Sequence, residues 1–321
     1  MTAPPSRRTG IPIPDGDGAR ADELALGRQV AEAYGLHDVT LTPLPTPVND
    51  VFVVTSSAGR FALKLYHGKR TGDAVRWEVD LVRQLRAHDA PVVQPIRGSC
   101  GYVQALTLGG SRRLAVLYSW APGAKPAPSH QTYHSVGQAA ALIHAAGGGI
   151  GESRARERYD ATLLVDHQLH RIAPFLEQAA VRAELFALGA RLTSSLDDPR
   201  LDWGICHMDL TLDNVHLTDD GTITVFDFDS AGPCWRAAEA WGVMRFSVPF
   251  FETWLAGYRT IRPFTLRDAA AVAIFGIVGD LRTVAWKLGV ADSSRGTPSL
   301  TASDLPGIVE GWLAWESTYL R

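Results

Sequence analysis

One short stretch of this chain carries polar residues at a chemically telling spacing. His207-x-Asp209-x4-Asn214 is followed, thirteen residues after Asn214, by Asp227-Phe228-Asp229. Asp209 and Asn214 lie five apart on a loop-like segment. Asp227 closes a strand-like run, Ile223 to Phe226, that would pair with that loop. Such a hairpin gathers an acid or base and two oxygen ligands for a cation around one point. Phosphoryl transfer asks for little more, because its demands are positioning and charge neutralisation rather than covalent help. A hard cation such as Mg2+ prefers carboxylate and amide oxygens of this kind. A bare His-x-Asp pair is common and would equally suit a polar turn. The whole pattern, with the strand-ending Asp-Phe-Asp, is far more specific.

The elements that must hold these residues change character along the chain. Residues 22–35 read as an amphipathic helix, with Leu24, Leu26, Val30, Ala31 and Tyr34 roughly on one face. Asp50–Thr55 and Arg60–Tyr66 alternate like strands and are joined by Ser56-Ser57-Ala58-Gly59, a hairpin signature. Residues 73–88 return to helical spacing, and strands are expected at 102–106 and 113–120. Pro122-Gly123 breaks this pattern. Helices are expected from there on, over 131–146, 162–180, 181–195, 236–258, 265–289 and 303–320. The polar hairpin interrupts them, turning at Asp219-Asp220-Gly221. The expected organisation is a leader over 1–20, a β-rich N-lobe over 21–121 and a helical C-lobe over 122–321.

Composition narrows the function classes. The 321 residues are 46% hydrophobic and 20% charged, ordinary for a globular protein with a sizeable core. A net charge of −3 gives no reason to expect a nucleic-acid partner. No run of 18 uncharged apolar residues suggests a membrane span. Residues 1–20 lack the apolar core of a secretory signal and read as a disordered leader. Three widely spaced cysteines, Cys100, Cys206 and Cys234, fit reduced thiols and a cytoplasmic location. No Cys-x-x-Cys or His-Glu-x-x-His pattern marks a zinc site.

The chain resembles the aminoglycoside phosphotransferases and the choline/homoserine-kinase-like small-molecule kinases over about residues 40–320. The resemblance is strongest at Cys206-His-Met-Asp-Leu-Thr-Leu-Asp-Asn214 and Val225-Phe-Asp-Phe-Asp229. It extends to Leu117–Ala121 with Gly123, and to Val136–His144. It implies an α+β, bilobal protein-kinase-like fold, with a small antiparallel-sheet N-lobe and a larger, mostly helical C-lobe. It also implies an ATP- and Mg2+-dependent transfer to a small-molecule hydroxyl acceptor. Asp209 is then the catalytic base, Asn214 and Asp227 the metal ligands, and His207 the tie between the loop and the strand ending in Asp227. Asp229 either joins the metal shell or bonds backbone amides after the strand. Met208 stands where the family usually has glycine, a departure that leaves the three oxygen groups intact. Glu239 stands where it usually has an Asp that bonds the catalytic loop.

The kinase template also requires a phosphate-binding lysine paired with a glutamate. Lys64, flanked by apolar residues on a strand, is costly to bury unless paired. Glu78, fourteen residues on, is the natural partner, with Asp73 and Asp80 as rivals on the same helix. No Gly-x-Gly-x-x-Gly loop is present. Pro45–Asp50 takes that place, with Thr46 or Asn49 facing phosphate. Adenine would rest on residues 117–121, with Tyr118 as gatekeeper and the backbone of Ser119 and Ala121 bonding its edge.

The acceptor is less legible. Residues 122–321 carry 17 basic and 23 acidic side chains, against 14 and 11 before them, which leans toward a cationic acceptor or is simply a solvated surface. Trp235, Arg236, Asp280, Trp286, Trp312, Trp315 and Glu316 are candidates to line its pocket. The expected acceptor is an antibiotic, the enzyme serving resistance or self-protection. The alternative is a metabolic amino alcohol, homoserine-like compound, sugar or nucleoside. A protein kinase lacks room here for a long activation segment and has no Ala-Pro-Glu. A nucleotide-binding pseudokinase would not need all of Lys64, Asp209, Asn214 and Asp227. Oligomeric state has no signature in the sequence.

Overall fold

The computed structural model describes residues 17–46, 48–150, 156–289 and 300–320. Most of the expected leader lies outside these residues; its end, from Asp17, is already helical. The chain divides into two units. The first is built on residues up to Val79 together with Gln94–Trp120, the second on Asp80–Val93 and most of the chain from Ala121.

The first unit is a five-stranded antiparallel sheet with a helix on one face. Helix α1 (Asp17–Tyr34) ends at Gly35, whose φ of 64° is the left-handed turn a helix stop requires. Strands β1 (Thr40–Leu44), β2 (Asp50–Ser56), β3 (Gly59–Leu65), β4 (Gln104–Leu108) and β5 (Ser111–Ser119) follow in the order β1-β2-β3-β5-β4. Strand β1 is not anticipated by periodicity. It contains Pro43, which is tolerated because β1 is an edge. Leu26 and Val30 of α1 pack on Phe52, Val54, Leu63, Leu65, Leu106, Ala115 and Leu117. Each such large apolar side chain contributes about 1.5–3 kcal/mol. The period of two sends Lys64 and Val116, which are register partners, to the opposite face. Helix α2 (Gly72–Ala87) brings Val75, Glu78 and Val79 into buried positions.

The second unit is mainly helical. Its helices are α3 (His130–Ala146), α4 (His167–Ile172), α5 (Ala179–Leu196), α6 (Trp241–Phe246), α7 (Val248–Arg259), α8 (Leu266–Gly289) and α9 (Leu305–Tyr319). Ser129 caps α3 by accepting from Thr132 N–H at 3.0 Å. Helices α3 and α7 touch backbone to backbone. A Cβ on Gly137 would strike the Trp254 carbonyl, and one on Gly257 the His134 carbonyl. Helix α8 is long and apolar enough to cross a membrane, but it is mostly buried, as a core helix must be.

Two expected helices are broken. The run expected over 162–180 is a π-turn at Thr162–Asp166, then α4, then a 3-10 turn at Ala173–Phe175 that holds Pro174. The run expected over 236–258 is a 3-10 turn at Arg236–Ala240, then α6 and α7. These two are divided at Ser247, which is extended (φ −164°) and caps α7 ahead of Pro249.

Two small sheets lie among these helices. Strand β6 (Trp203–Cys206) pairs antiparallel with β9 (Gly232–Trp235). Strand β7 (Val215–Leu217) pairs with β8 (Ile223–Val225) through the expected turn, where Gly221 has φ 87°. Between β6 and β7 runs the loop of Asp209, and between β8 and β9 that of Asp227.

Candidate active site

The Asp209 loop is pinned from both sides. His207, wholly buried, donates from Nε2 to the Phe226 carbonyl at 3.0 Å and packs its ring 4.5 Å from that of Phe228. It thus joins the loop to the end of β8, one residue before Asp227. Phe226 N–H in turn reaches the Asn214 carbonyl at 3.0 Å. The Asn214 amide donates twice, to the Asp209 carbonyl at 2.8 Å and to its carboxylate Oδ2 at 2.9 Å. Those bonds orient the carboxylate and leave Asn214 Oδ1 with no donor among the described residues. Oδ1 is the atom a hard cation would use.

Asp209 is exposed, yet enough protein surrounds it that lost hydration raises its carboxyl pKa. The Asp227 charge adds to that rise, while His207, Asn214 and Arg282 oppose it. Asp227 holds a left-handed backbone, φ 64° and ψ 64°, before the 3-10 turn Phe228–Ser230. Met208 is also left-handed, φ 65°. Such residues cost about 1–3 kcal/mol each and cluster where function requires them. Asp229 follows on that 3-10 turn, its carbonyl held by the Arg156 guanidinium. An Asn amide and a carboxylate within one loop pair fit a Mg2+ ion by donor chemistry.

Glu239 accounts for the posture of Met208. Its buried carboxylate accepts from His207 N–H at 2.6 Å and from Met208 N–H at 3.0 Å. His144 Nε2, at the end of α3, lies 3.3 Å from the same carboxylate, and His144 Nδ1 lies 2.8 Å from the Tyr258 hydroxyl. Burial alone would push His144 down and Glu239 up. Hydrogen bonding wins: Cys206 first and then Glu239 raise the His144 pKa, and His144 holds the Glu239 carboxyl low. The outer end of this chain is Asp202, shared by Arg236 at 2.6 Å and by Arg262, which also reaches Tyr258.

The first unit carries its own polar cluster. Lys64 Nζ lies 3.1 Å from Glu78 Oε1, both buried. Asp73 and Asp80, the rival partners, pair on the surface with Arg76 and Arg83. The Tyr66 hydroxyl donates to Glu78 Oε1 at 2.9 Å and lies 3.0 Å from that of Tyr118, and Lys64 sits 4.8 Å from the Tyr66 ring centroid. Sequence reasoning passes over Tyr66, although it shares the parity of Lys64. Asn49 is buried, and its Oδ1 accepts from His67 N–H at 2.9 Å. Thr46 donates to the Asn49 carbonyl. Ser119 gives its N–H to Gln94 at 2.7 Å, so that group is not open to an adenine edge as expected. The Ala121 carbonyl accepts from His216 at 2.8 Å.

Of the expected acceptor-lining residues, most tie helices together. Arg236 is buried against Asp202 and the carbonyls of Trp203 and His144. Glu316 is forked by Arg191 at 2.6 and 2.7 Å. Asp280 takes Arg245 at 2.6 Å and the Trp312 N–H at 3.3 Å, and Trp315 donates to the Ala273 carbonyl. The Trp235 ring packs edge-on against Trp203. Trp286 alone of the four tryptophans in that set is exposed, at 48%.

Residues 41–271 match the phosphotransferase enzyme family that includes the aminoglycoside phosphotransferases. The chain belongs to that family. It is therefore a phosphotransferase, and its mixed fold of a small antiparallel sheet and a helical remainder is that of the family's protein-kinase-like members. It is similar to a homoserine kinase of Rhodospirillum rubrum, 28% identical over 258 residues, which covers 75% of this chain and 77% of the relative. Among solved structures it is similar to a microcompartment-associated aminopropanol kinase, with TM-score 0.75, 21% identity, and 92% and 97% of the two chains covered. It is also similar to the amicoumacin kinase hAmiN, solved with AMP-PNP, Ca2+ and amicoumacin, with TM-score 0.73, 21% identity and 94% and 95% covered.

Proposed function

We propose that this phosphotransferase uses ATP and Mg2+ and moves the γ-phosphoryl group to a hydroxyl of a small molecule. The observation that carries the proposal is Asp209. A carboxylate held by the Asn214 amide, next to the left-handed Asp227, is the arrangement an alcohol acceptor needs. Asp209 orients the hydroxyl and takes its proton. Asn214 and Asp227, with Asp229 beside them, would hold the cation, which would neutralise phosphate charge. His207 fixes the loop. In the first unit Lys64, steadied by Glu78, binds the phosphates. Tyr118 and the backbone of Ala121 face the base, and Asn49 shapes the phosphate turn. The residues up to 121 serve the nucleotide and those from 122 the acceptor. The free thiols of Cys100, Cys206 and Cys234 suit the cytoplasm, where ATP is available.

An antibiotic hydroxyl is one reading of the acceptor, supported by the likeness to amicoumacin kinase. The matches to homoserine kinases over three quarters of both chains favour a second, a biosynthetic kinase of a small amino alcohol. The test is a panel of antibiotics, amino alcohols, homoserine and sugars with ATP and Mg2+, read by mass for one added phosphate. Asp209→Ala should abolish that product and leave ATP affinity intact. Near-normal turnover by Asp209→Ala would remove Asp209 from the chemistry.

A further inference from the structure

We propose that Arg282 of α8 binds a carboxylate on the acceptor, so that the phosphorylated hydroxyl belongs to a small hydroxy acid rather than a polycation. The inference rests on the kinase reading above and narrows its acceptor.

The basis is a cation at the catalytic loop with its hydrogen-bonding capacity unspent. Several arginines of the second unit have acidic partners: Arg236 and Arg262 share Asp202, Arg245 pairs with Asp280, and Arg267 with Asp198; Arg171, Arg182 and Arg259 bond carbonyls. Arg282 is half-buried, and among the described residues its guanidinium has neither a hydrogen-bond acceptor nor an ion-pair partner. Five N–H donors in a rigid fork are thereby left over. The guanidinium instead lies over the Tyr159 ring, 5.1 Å from its centroid.

Tyr159 locates that guanidinium. Its N–H bonds the Pro233 carbonyl of β9 at 2.9 Å, and a Cβ on Gly232 would meet its ring at 2.8 Å. Strand β9 pairs with β6, which runs directly into His207. Three residues before Tyr159, Arg156 bonds the carbonyls of Phe228 and Asp229, just past Asp227. Arg282 therefore stands beside the segments that carry Asp209 and Asp227. Its charge is close enough to interact with the Asp209 carboxylate. One turn earlier on α8, Gly279 lets the Trp241 ring lie against the helix, and one turn later Trp286 is exposed. Indoles one turn to either side of Arg282 along α8 suit a short carbon chain that ends in an anion.

The geometry separates acceptors by charge. A carboxylate gains a forked, charge-assisted bond on Arg282 while its hydroxyl meets Asp209. A polyamine brings like charge to the same place and is rejected. The net acidity of residues 122–321 points the other way, but it is a property of the whole surface and not of this spot.

The experiment uses the full chain and paired probes. L-Homoserine and 3-aminopropan-1-ol share a hydroxyl and an amine and differ in the carboxylate; 4-hydroxybutyrate has the carboxylate without the amine. Wild type is expected to phosphorylate both acids with kcat/KM at least about 10-fold above the amino alcohol. Arg282→Gln should raise the KM of the acids about 10- to 100-fold, with the KM of ATP as internal reference. Arg282→Lys should recover part of the loss, because it keeps charge and loses the fork. A fall in kcat alone, equal for all three acceptors, would instead put Arg282 on the transferring phosphoryl and overturn the proposal. A wild-type preference for 3-aminopropan-1-ol or for an aminoglycoside would overturn it too, while leaving the kinase reading intact. If no probe turns over, calorimetry with 4-hydroxybutyrate and Mg·ADP decides. Binding lost in Arg282→Gln supports the proposal, and absence of binding to wild type ends it. Failure to bind Mg·ATP at all would count against the kinase reading itself.

Discussion

Glu239→Ala tests how the Asp209 loop is held. In the native chain one buried carboxylate satisfies the N–H groups of His207 and Met208 and faces His144. Removing it orphans two buried donors at about 1–3 kcal/mol each, so the loss is about 2–6 kcal/mol. For a unit of this size, thermal unfolding should fall by on the order of 10 °C. Activity should fall through kcat, about 100-fold, because Asp209 follows directly on the released residues. The KM of ATP should hold. Glu239→Gln should be intermediate, keeping one accepting oxygen and setting an amide against the other donor. The lowered pKa of Glu239 makes its contribution complete above the unfolded value of 4.5 and lost as pH falls through the folded one. The raised pKa of His144 works oppositely: its contribution is complete below 6.5 and lost as pH rises through its folded value. Differential scanning calorimetry and steady-state kinetics across pH measure both. A Glu239→Ala protein that melts within 1–2 °C of wild type (about 0.5 kcal/mol) and turns over normally would refute this account.

Three further outcomes are expected. Because the Asp209 pKa is raised, the acid limb of kcat/KM should lie above the ordinary Asp value of 3.8, and Asp209→Asn should lower kcat about 100- to 10,000-fold. A pH profile with its midpoint below 3.8 contradicts this. Lys64→Ala leaves Glu78 buried without its cation and should cost about 3–5 kcal/mol in chemical denaturation while weakening ATP binding. Gly257→Ala drives a methyl into the His134 carbonyl, so α3 and α7 must part; a loss of about 1–3 kcal/mol is expected, against a fraction of that for Ala at open Gly307.

The hairpin of Asp209, Asn214 and Asp227 is readable from sequence because its determinants are local: a turn with Gly221, two short apolar strands and fixed spacing. The Lys64–Glu78 pair is readable for another reason. A lysine on an apolar strand needs a partner, and the stripe of the next helix offers few. The network behind the loop is not legible in this way. His144, Glu239, Tyr258 and Arg262 meet only after α3, α7 and the 236–240 turn have packed, and no local period marks them. The tryptophans mislead similarly, since an indole that donates to Asp280 or Ala273 in a helix contact has the same sequence signature as one facing a ligand. Helix breaks at Pro174 and at Ser247-Pro249 are marked by their prolines, but apolar periodicity runs straight through them.

The network behind the Asp209 loop also bears on how the enzyme is made. His144 finds Glu239 across 95 residues and Tyr258 across 114, and Asp202 finds Arg262 across 60. Contacts this distant form late, after chain-closure entropy has been met. During synthesis, which proceeds from the N-terminus, the Asp209 loop and its Asn214 tie emerge well before Tyr258 and Arg262, which complete the network behind it. A chain interrupted before Arg262 keeps the Asn214 and Glu239 bonds to the loop but lacks the arginine that joins Asp202 to Tyr258 behind it. The full network behind the loop therefore closes only once translation has passed the end of α7, and a chain stopped short of that point is expected to turn nucleotide over slowly.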